Sequence, residues 1–128
     1  LHDIGHFVSL NNHSGDQSDD FHETIGAQWL ARWLPDSVTE PIRLHVPAKR
    51  ALCTIEPAYF DGLSPASKHS LQLQGGPFDD SQLRDFKQRP FAGQAMALRR
   101  WDDLAKVPGK ATPELCYYMD FVDQILAD

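Results

Sequence analysis

Four of the six histidines stand where an imidazole has a use beyond packing: His2, His22, His45 and, one helical turn after the first, His6. His2 is followed at once by Asp3 on a short apolar segment that has no other need of either. An imidazole beside a carboxylate is the mixed nitrogen–oxygen donor set that suits borderline and harder divalent metals. A carboxylate has two oxygens, so Asp3 can bridge two ions while His2 holds one of them. His22 precedes Glu23 at a helix start, and His45 lies in Leu44-His45-Val46; both segments read as core-facing. Asp102 follows Trp101 toward the C-terminal end of a long helix. An acidic side chain there opposes the helix dipole unless a metal, Arg99 or Arg100 compensates. A lone His on an apolar face is more often a hydrogen-bonded core residue, and a His-Asp pair is common by chance. Spacing alone leaves both readings open.

The neighbours of these residues have a chemistry of their own. His45 and Lys49 are four apart and share a helical face, and an ammonium beside a metal ligand suits an anionic substrate group. Arg99 is three residues before Asp102 and can present a planar fork to a phosphonate or phosphate. Ser67 lies just inside the helix start Ser64-Pro65, where backbone N–H groups and a hydroxyl can hold anionic oxygens. Arg50 and Arg100 read as structural or exposed, His13 and His69 as surface residues, and Trp29, Trp33 and Trp101 as core. Gln74-Gly75-Gly76 lacks a phosphate-loop context and reads as a close-packed turn.

The order of the motifs carries more than any one of them. Leu1-His2-Asp3-Ile4-Gly5-His6 is followed by Phe21-His22-Glu23-x-x-Gly26-Ala27, His45-Val46-x-Ala48-Lys49-Arg50 and Leu63-Ser64-x-x-Ser67. Leu73-Gln74-Gly75-Gly76 and Leu98-Arg99-x-Trp101-Asp102-Asp103 complete the series. Together they resemble the mixed-valence diiron oxygenases of the HD superfamily, the branch that cleaves carbon–phosphorus bonds. The resemblance implies two irons, Fe(II)/Fe(III), bridged by Asp3, with His2 and Asp102 on one, His22 and His45 on the other, and O2 as co-substrate. It places His6, Lys49, Ser67 and Arg99 around the substrate and makes His2, Asp3 and His6 catalytic. It also implies one more histidine, upstream of His2, on the first iron. The implied reaction converts a small 1-hydroxyalkylphosphonate, such as 2-amino-1-hydroxyethylphosphonate, to a carboxylate (glycine) and phosphate, in organophosphonate catabolism. The alternative is an HD-type phosphohydrolase in which a metal-bound hydroxide attacks a phosphate ester. The additional pair His22 and His45, with Lys49 beyond it, favours the oxygenase.

These residues need helices to hold them. Periodicity of 3.6 recurs along the chain while period-two alternation is scarce, which predicts an all-α bundle of six or seven helices, one HD domain over residues 1–128. Phe21, Ile25, Trp29, Leu30, Trp33 and Leu34 predict one helix face, ended by Pro35. Ile42–Cys53 reads as a second helix that Pro47 bends or delays. Ser64-Pro65 opens a third, and Gly75-Gly76-Pro77 ends it. Asp79 or Asp80 caps a fourth, Phe91–Lys106 forms a long fifth, and Thr112-Pro113-Glu114 opens the last. Asn11–Asp20 is the one clearly loop-like segment.

The 128 residues, 41% hydrophobic and 23% charged, are ordinary for a globular domain. A net charge of −6 argues against nucleic acid and anionic membrane as partners and leaves a small anionic phosphonate as the expected one. Cys53 and Cys116 match no zinc spacing and read as two buried free thiols, with the cytoplasm as the expected compartment. Without an initiator Met, and starting inside a motif, the chain is expected to lack its N-terminal segment. The sequence does not specify an oligomeric state.

Overall fold

In the computed structural model, which describes residues 1–9 and 21–127, every regular element is helical. Nine helices lie among the described residues, more than the six or seven expected. They are α1 (Gly5–Val8), α2 (His22–Leu30), α3 (Asp36–Arg43), α4 (His45–Ile55), α5 (Pro57–Gly62), α6 (Pro65–Leu73), α7 (Asp80–Lys87), α8 (Ala92–Ala105) and α9 (Leu115–Ala127). The helices beyond the expected ones are α1, α3 and α5: α1 and α5 are only four and six residues long, while the end of α3 falls within the expected helix Ile42–Cys53. The expected loop Asn11–Asp20, with His13 in it, lies outside the described residues.

Several boundaries follow from local chemistry. Ser64 Oγ accepts the N–H of Ser67 at 3.1 Å and Pro65 takes the first helical position, so α6 starts where the sequence predicts. Asp79 closes a capping box with Gln82, and Arg84 and Lys87 in the last turn of α7 complement its dipole. Pro47 has no N–H to give to the Arg43 carbonyl, and the chain breaks between α3 and α4 at Leu44. Arg50 donates to the carbonyls of Gly76 and Gly75 at 2.7 and 3.1 Å, tying α4 to the left-handed turn that ends α6.

Three apolar clusters stabilise the assembly. Leu44, Ala48, Ala51, Phe86, Ala92 and Ala95 join α4 to α7 and α8. Ala27, Leu30, Leu34 and Ile42 join α2 to α3. Cys53, Leu63 and Leu71 form the third, with Tyr59 packed against it. The alanines let α4 and α8 approach closely, which matters because these two helices carry most of the cavity's cations.

The predicted face of α2 is borne out in part, with Leu30 and Leu34 buried and Ile25 and Trp29 half-buried. Phe21 and Trp33 are exposed, while His22, Glu23, Gly26, Ala27 and Leu30 turn inward. Trp101 is also exposed, contrary to its reading as core, and Trp29 is half-buried. Cys53 is buried as expected, but Cys116 is exposed on α9. No helix among the described residues is long and apolar enough to cross a membrane.

Two glycines set the approach of α1 to α2. A Cβ on Gly5 would stand 1.9 Å from the His22 carbonyl oxygen and 2.9 Å from the Gly26 nitrogen, and a Cβ on Gly26 would stand 3.0 Å from the Gly5 nitrogen. Only hydrogen fits at Gly5. Asp3, two residues earlier, is thereby brought against the first turn of α2.

Candidate metal centre

His2, Asp3, His22, His45 and Asp102 come together from the segment before α1 and from α2, α4 and α8. Asp3 divides its oxygens between two sets of donors. Its Oδ2 lies 3.1 Å from His2 Nε2, and its Oδ1 lies 3.5 Å from His22 Nε2 and 3.7 Å from His45 Nε2. His2 Nε2 also lies 3.4 Å from Asp102 Oδ1. The result is two groups that could hold a metal ion, Asp3/His22/His45 and His2/Asp3/Asp102, with the donor atoms of each within 4.8 Å of one another. Asp3 belongs to both.

The protonation of the donors suits that use. His45, 1% exposed, approaches the Ile42 carbonyl oxygen through Nδ1 at 2.7 Å. A carbonyl only accepts, so Nδ1 carries the hydrogen and Nε2 keeps its lone pair. Burial pushes the His45 pKa down to about 4, so the ring is neutral at ordinary pH. Its Nε2 faces His22 Nε2 at 3.3 Å. On the other side, Asp102 and then Asp3 raise His2 to about 9. His2 in turn lowers Asp3 to about 2. Burial pushes Asp102 up, but His2, Arg99 and Lys106 outweigh it and hold the carboxyl well below its usual range. His2 Nε2 is buried and close to two carboxylates yet aligned for a hydrogen bond with neither. A lone pair on His45 Nε2 and an unaligned, buried His2 Nε2, both converging on one carboxylate, fit a pair of divalent metals.

A cavity of about 370 Å³ opens beside these donors. It gathers the donors Asp3, His22, His45 and Asp102 with His6, Lys49, Ser67 and Arg99, the four substrate-side residues expected from the sequence. His6 stacks on His22 with ring centroids 4.0 Å apart and planes 16° apart. Lys49 is 2% exposed and donates to Ser70 Oγ at 3.0 Å. Burial, helped by the charge of Arg99, lowers its pKa to about 8. Ser67 keeps its hydroxyl, 3.1 Å from Ser64 Oγ, but its N–H is taken by the cap. Arg99 reaches the wall with its fork partly committed, Nη1 to Asp102 Oδ2 at 2.9 Å and Nη2 to Asp103 Oδ1 at 2.7 Å.

The cation opposing the α8 dipole at Asp102 is therefore Arg99, joined by Lys106 at 3.3 Å. Arg100 points elsewhere, to Glu56. His69 is exposed, as expected. Sequence reasoning missed Ser70, Gln74 and Lys106, all of which line the cavity. Helical spacing held the signal: Ser70 and Gln74 follow Ser67 by three and seven residues, and Lys106 follows Asp102 by four. Gln74 sits at the turn as expected, but its side chain faces the cavity and its Oε1 is buried without a partner.

No family model matches the chain. Curated relatives do. It is 49% identical over 132 residues to hydroxymethylphosphonate dioxygenase of Gimesia maris, an alignment covering 98% of this chain and 64% of the relative. It is 41% identical over 128 residues to the glycine-betaine-forming 1-hydroxy-2-(trimethylamino)ethylphosphonate dioxygenase of Leisingera caerulea, covering 98% and 65%. An uncharacterized protein of Acanthamoeba polyphaga mimivirus is 31% identical over 132 residues, covering 100% and 60%. The chain thus spans just under two thirds of the length of the curated relatives it matches.

Proposed function

We propose that residues 1–128 act as one HD domain of an iron- and O2-dependent oxygenase, a reading supported by 49% and 41% identity, along nearly the whole chain, to two proteins named as phosphonate dioxygenases. Its substrate is a small 1-hydroxyalkylphosphonate. The C–P bond breaks, both oxygen atoms of O2 are taken up, and the products are a carboxylate and phosphate. R–CH(OH)–PO3²⁻ and O2 balance R–COOH and HPO4²⁻ without an outside reductant. The observation that carries the reading is one cavity lined by Asp3, His22, His45 and Asp102, four of the five donors, together with the buried cations Lys49 and Arg99.

The protein's own residues divide the work. Asp3, with His22 and His45 on one side and His2 and Asp102 on the other, holds two irons. Those irons supply O2 activation and one-electron chemistry when bound. Lys49 and Arg99 neutralise the phosphonate, and the Ser67 hydroxyl donates to one of its oxygens. His6, at the cavity wall against His22, accepts the proton of the substrate hydroxyl. The two named relatives act on phosphonates that share the 1-hydroxyl group and differ in what else the carbinol carbon bears. We place this chain's substrate in the same class, with 2-amino-1-hydroxyethylphosphonate and hydroxymethylphosphonate as the members to try.

Oxygen electrode traces with iron-loaded protein test this reading. The expected result is one O2 consumed per phosphate released from at least one of those two compounds or the trimethylamino analogue. Phosphate released from an ester without O2 uptake would instead assign the site to a hydrolase.

A further inference from the structure

Arg99, on the wall of the cavity, is 5% exposed and engaged by three neighbouring side chains. Its Nε and Nη2 form a side-on pair with Asp103, at 3.2 Å to Oδ2 and 2.7 Å to Oδ1. Nε also approaches the Tyr59 hydroxyl oxygen at 3.1 Å, and that hydroxyl donates to Asp103 Oδ2. Nη1 stands 2.9 Å from Asp102 Oδ2 as an ion pair. A guanidinium has five N–H groups. Among the described residues, hydrogen bonds occupy Nε and one hydrogen of Nη2, while Nη1 faces Asp102, and the terminal nitrogens keep hydrogens that two oxygens of a phosphonate or phosphate can accept.

Neither Tyr59 nor Asp103 lines the cavity with the metal donors; both line a neighbouring one of about 330 Å³. Tyr59 comes from α5 and Asp103 from α8, so their bond spans two helices. Left to itself, a cation between two carboxylates on its own helix would swing onto either. Turned side-on to Asp102, Arg99 would draw that carboxylate away from His2 and present its backbone-side edge to the anion. Asp103 occupies that edge, and the Tyr59 hydroxyl fixes Asp103.

We propose that Tyr59 and Asp103 are positioning residues that lock Arg99, so that it meets Asp102 through one nitrogen only and keeps a two-pronged face for the phosphonate. This rests on the cavity being the phosphonate site. The pair thus acts through Arg99 and touches neither substrate nor metal.

Calorimetric titration of inorganic phosphate and hydroxymethylphosphonate into the iron-loaded protein tests the lock. Tyr59→Phe keeps the ring packed against Cys53, Leu63 and Leu71 and changes no charge. It should weaken both anions about three- to tenfold, the worth of a lost hydrogen bond, with iron content unchanged. Asp103→Asn leaves the site more positive by one charge. If Asp103 only balances charge, this variant binds anions more tightly; if it positions Arg99, binding weakens despite the added positive charge. In an Arg99→Lys background, which has no fork to aim, Tyr59→Phe should add nothing. Tyr59→Phe within about twofold of the parent, or losing as much again in the Arg99→Lys background, overturns the proposal, whether or not Asp103→Asn folds. Oxygen uptake with unaffected Tyr59→Phe binding would sink the lock alone. Phosphate binding that weakens as stated, with no oxygen uptake, would keep the lock and sink the oxygenase reading. An unmodified protein that binds no phosphate sinks both.

Discussion

The two donor groups that share Asp3 use the same kinds of side chain and are prepared in opposite ways. On one side, His45 is buried, neutral and already in the tautomer that offers Nε2, because the break between α3 and α4 leaves the Ile42 carbonyl for its Nδ1–H. On the other, His2 is half-buried and held as a cation by two carboxylates, and Asp102 is shared with Arg99 and Lys106. In the first group His45 offers an Nε2 lone pair, turned toward His22 Nε2. The second is an ion-pair network, and a metal entering it must displace a proton and compete with two side-chain cations. Backbone geometry prepares one position; electrostatic competition tunes the other.

Ligand substitution is the strongest way to break this comparison. Asp3→Ala should abolish firm binding at both positions, with a loss beyond the roughly 100-fold that follows removal of an outer partner of a ligand. His45→Ala should empty one position and His2→Ala the other, as read by metal analysis after desalting. If His2→Ala also empties the His22/His45 position, the two groups are a single unit and the distinction is wrong.

Lys49 sharpens the contrast from the side of the anion. It lies one turn from His45 and donates to Ser70, whereas Arg99 and Lys106 are paired with Asp102. Lys49→Ala should therefore weaken phosphonate binding by about 2–5 kcal/mol and leave iron content intact. A variant that binds phosphonate normally but loses iron would reverse the assignment. In the unmodified protein Lys49 is cationic below about pH 8 and loses its charge above it, so anion affinity should fall on the alkaline side. A titration showing constant affinity from pH 7 to 9.5 would remove Lys49 from the site.

Proton release compares the two positions directly. Between pH 7 and 9 the metal-free His2 is protonated, so affinity at its position should rise by about tenfold per pH unit until about pH 9. His45, neutral above about pH 4, contributes no such slope. Calorimetry in two buffers of different ionisation enthalpy, on His2→Ala and His45→Ala, reads this directly. Proton release at the position that lacks His2 would contradict it.

The smallest effect is a control. Ser64→Ala removes the cap of α6, which carries Ser67 but no metal donor, and should cost about 1 kcal/mol of stability. Denaturant unfolding would measure it, with iron content at both positions unchanged.

The site was legible mainly through the order of its motifs and the family they resemble; residue types and spacing alone left the readings of His2, Asp3, His22, His45 and Asp102 open. Four-residue spacing put Lys49 on the face of His45. Tyr59 and Asp103 were not legible as partners of Arg99, since their meeting depends on how α5 packs on α8. Helix starts with a side-chain cap, Ser64 and Asp79, were readable. The starts of α2 at His22 and of α8 next to Phe91 were readable too, although the left-handed backbone angles of Phe21 and Phe91, φ 49° and 63°, are not announced by their residue types. Along α2 and just beyond it, Leu30 and Leu34 face inward as expected, but Phe21 and Trp33 outweighed the small residues Gly26 and Ala27 that share the buried face. Trp33 and Trp101 misled for the same reason: size suggests burial, but neighbours decide it.

The close passage of α1 over α2 has a consequence for mutational tolerance. At Gly5 an added methyl would meet backbone, not a side chain that can rotate away, and the same holds for most of its contacts at Gly26. No substitution at one of these positions can therefore compensate a change at the other. Phe7, two residues beyond Gly5 and 74% exposed, is under no such constraint. Within a single helical turn the chain thus passes from a position with one admissible residue to a position open to many. Selection for alternative substrates would find its freedom around the rim of the cavity, while the distance from Asp3 to His22 stays fixed by the thickness of two bare backbones.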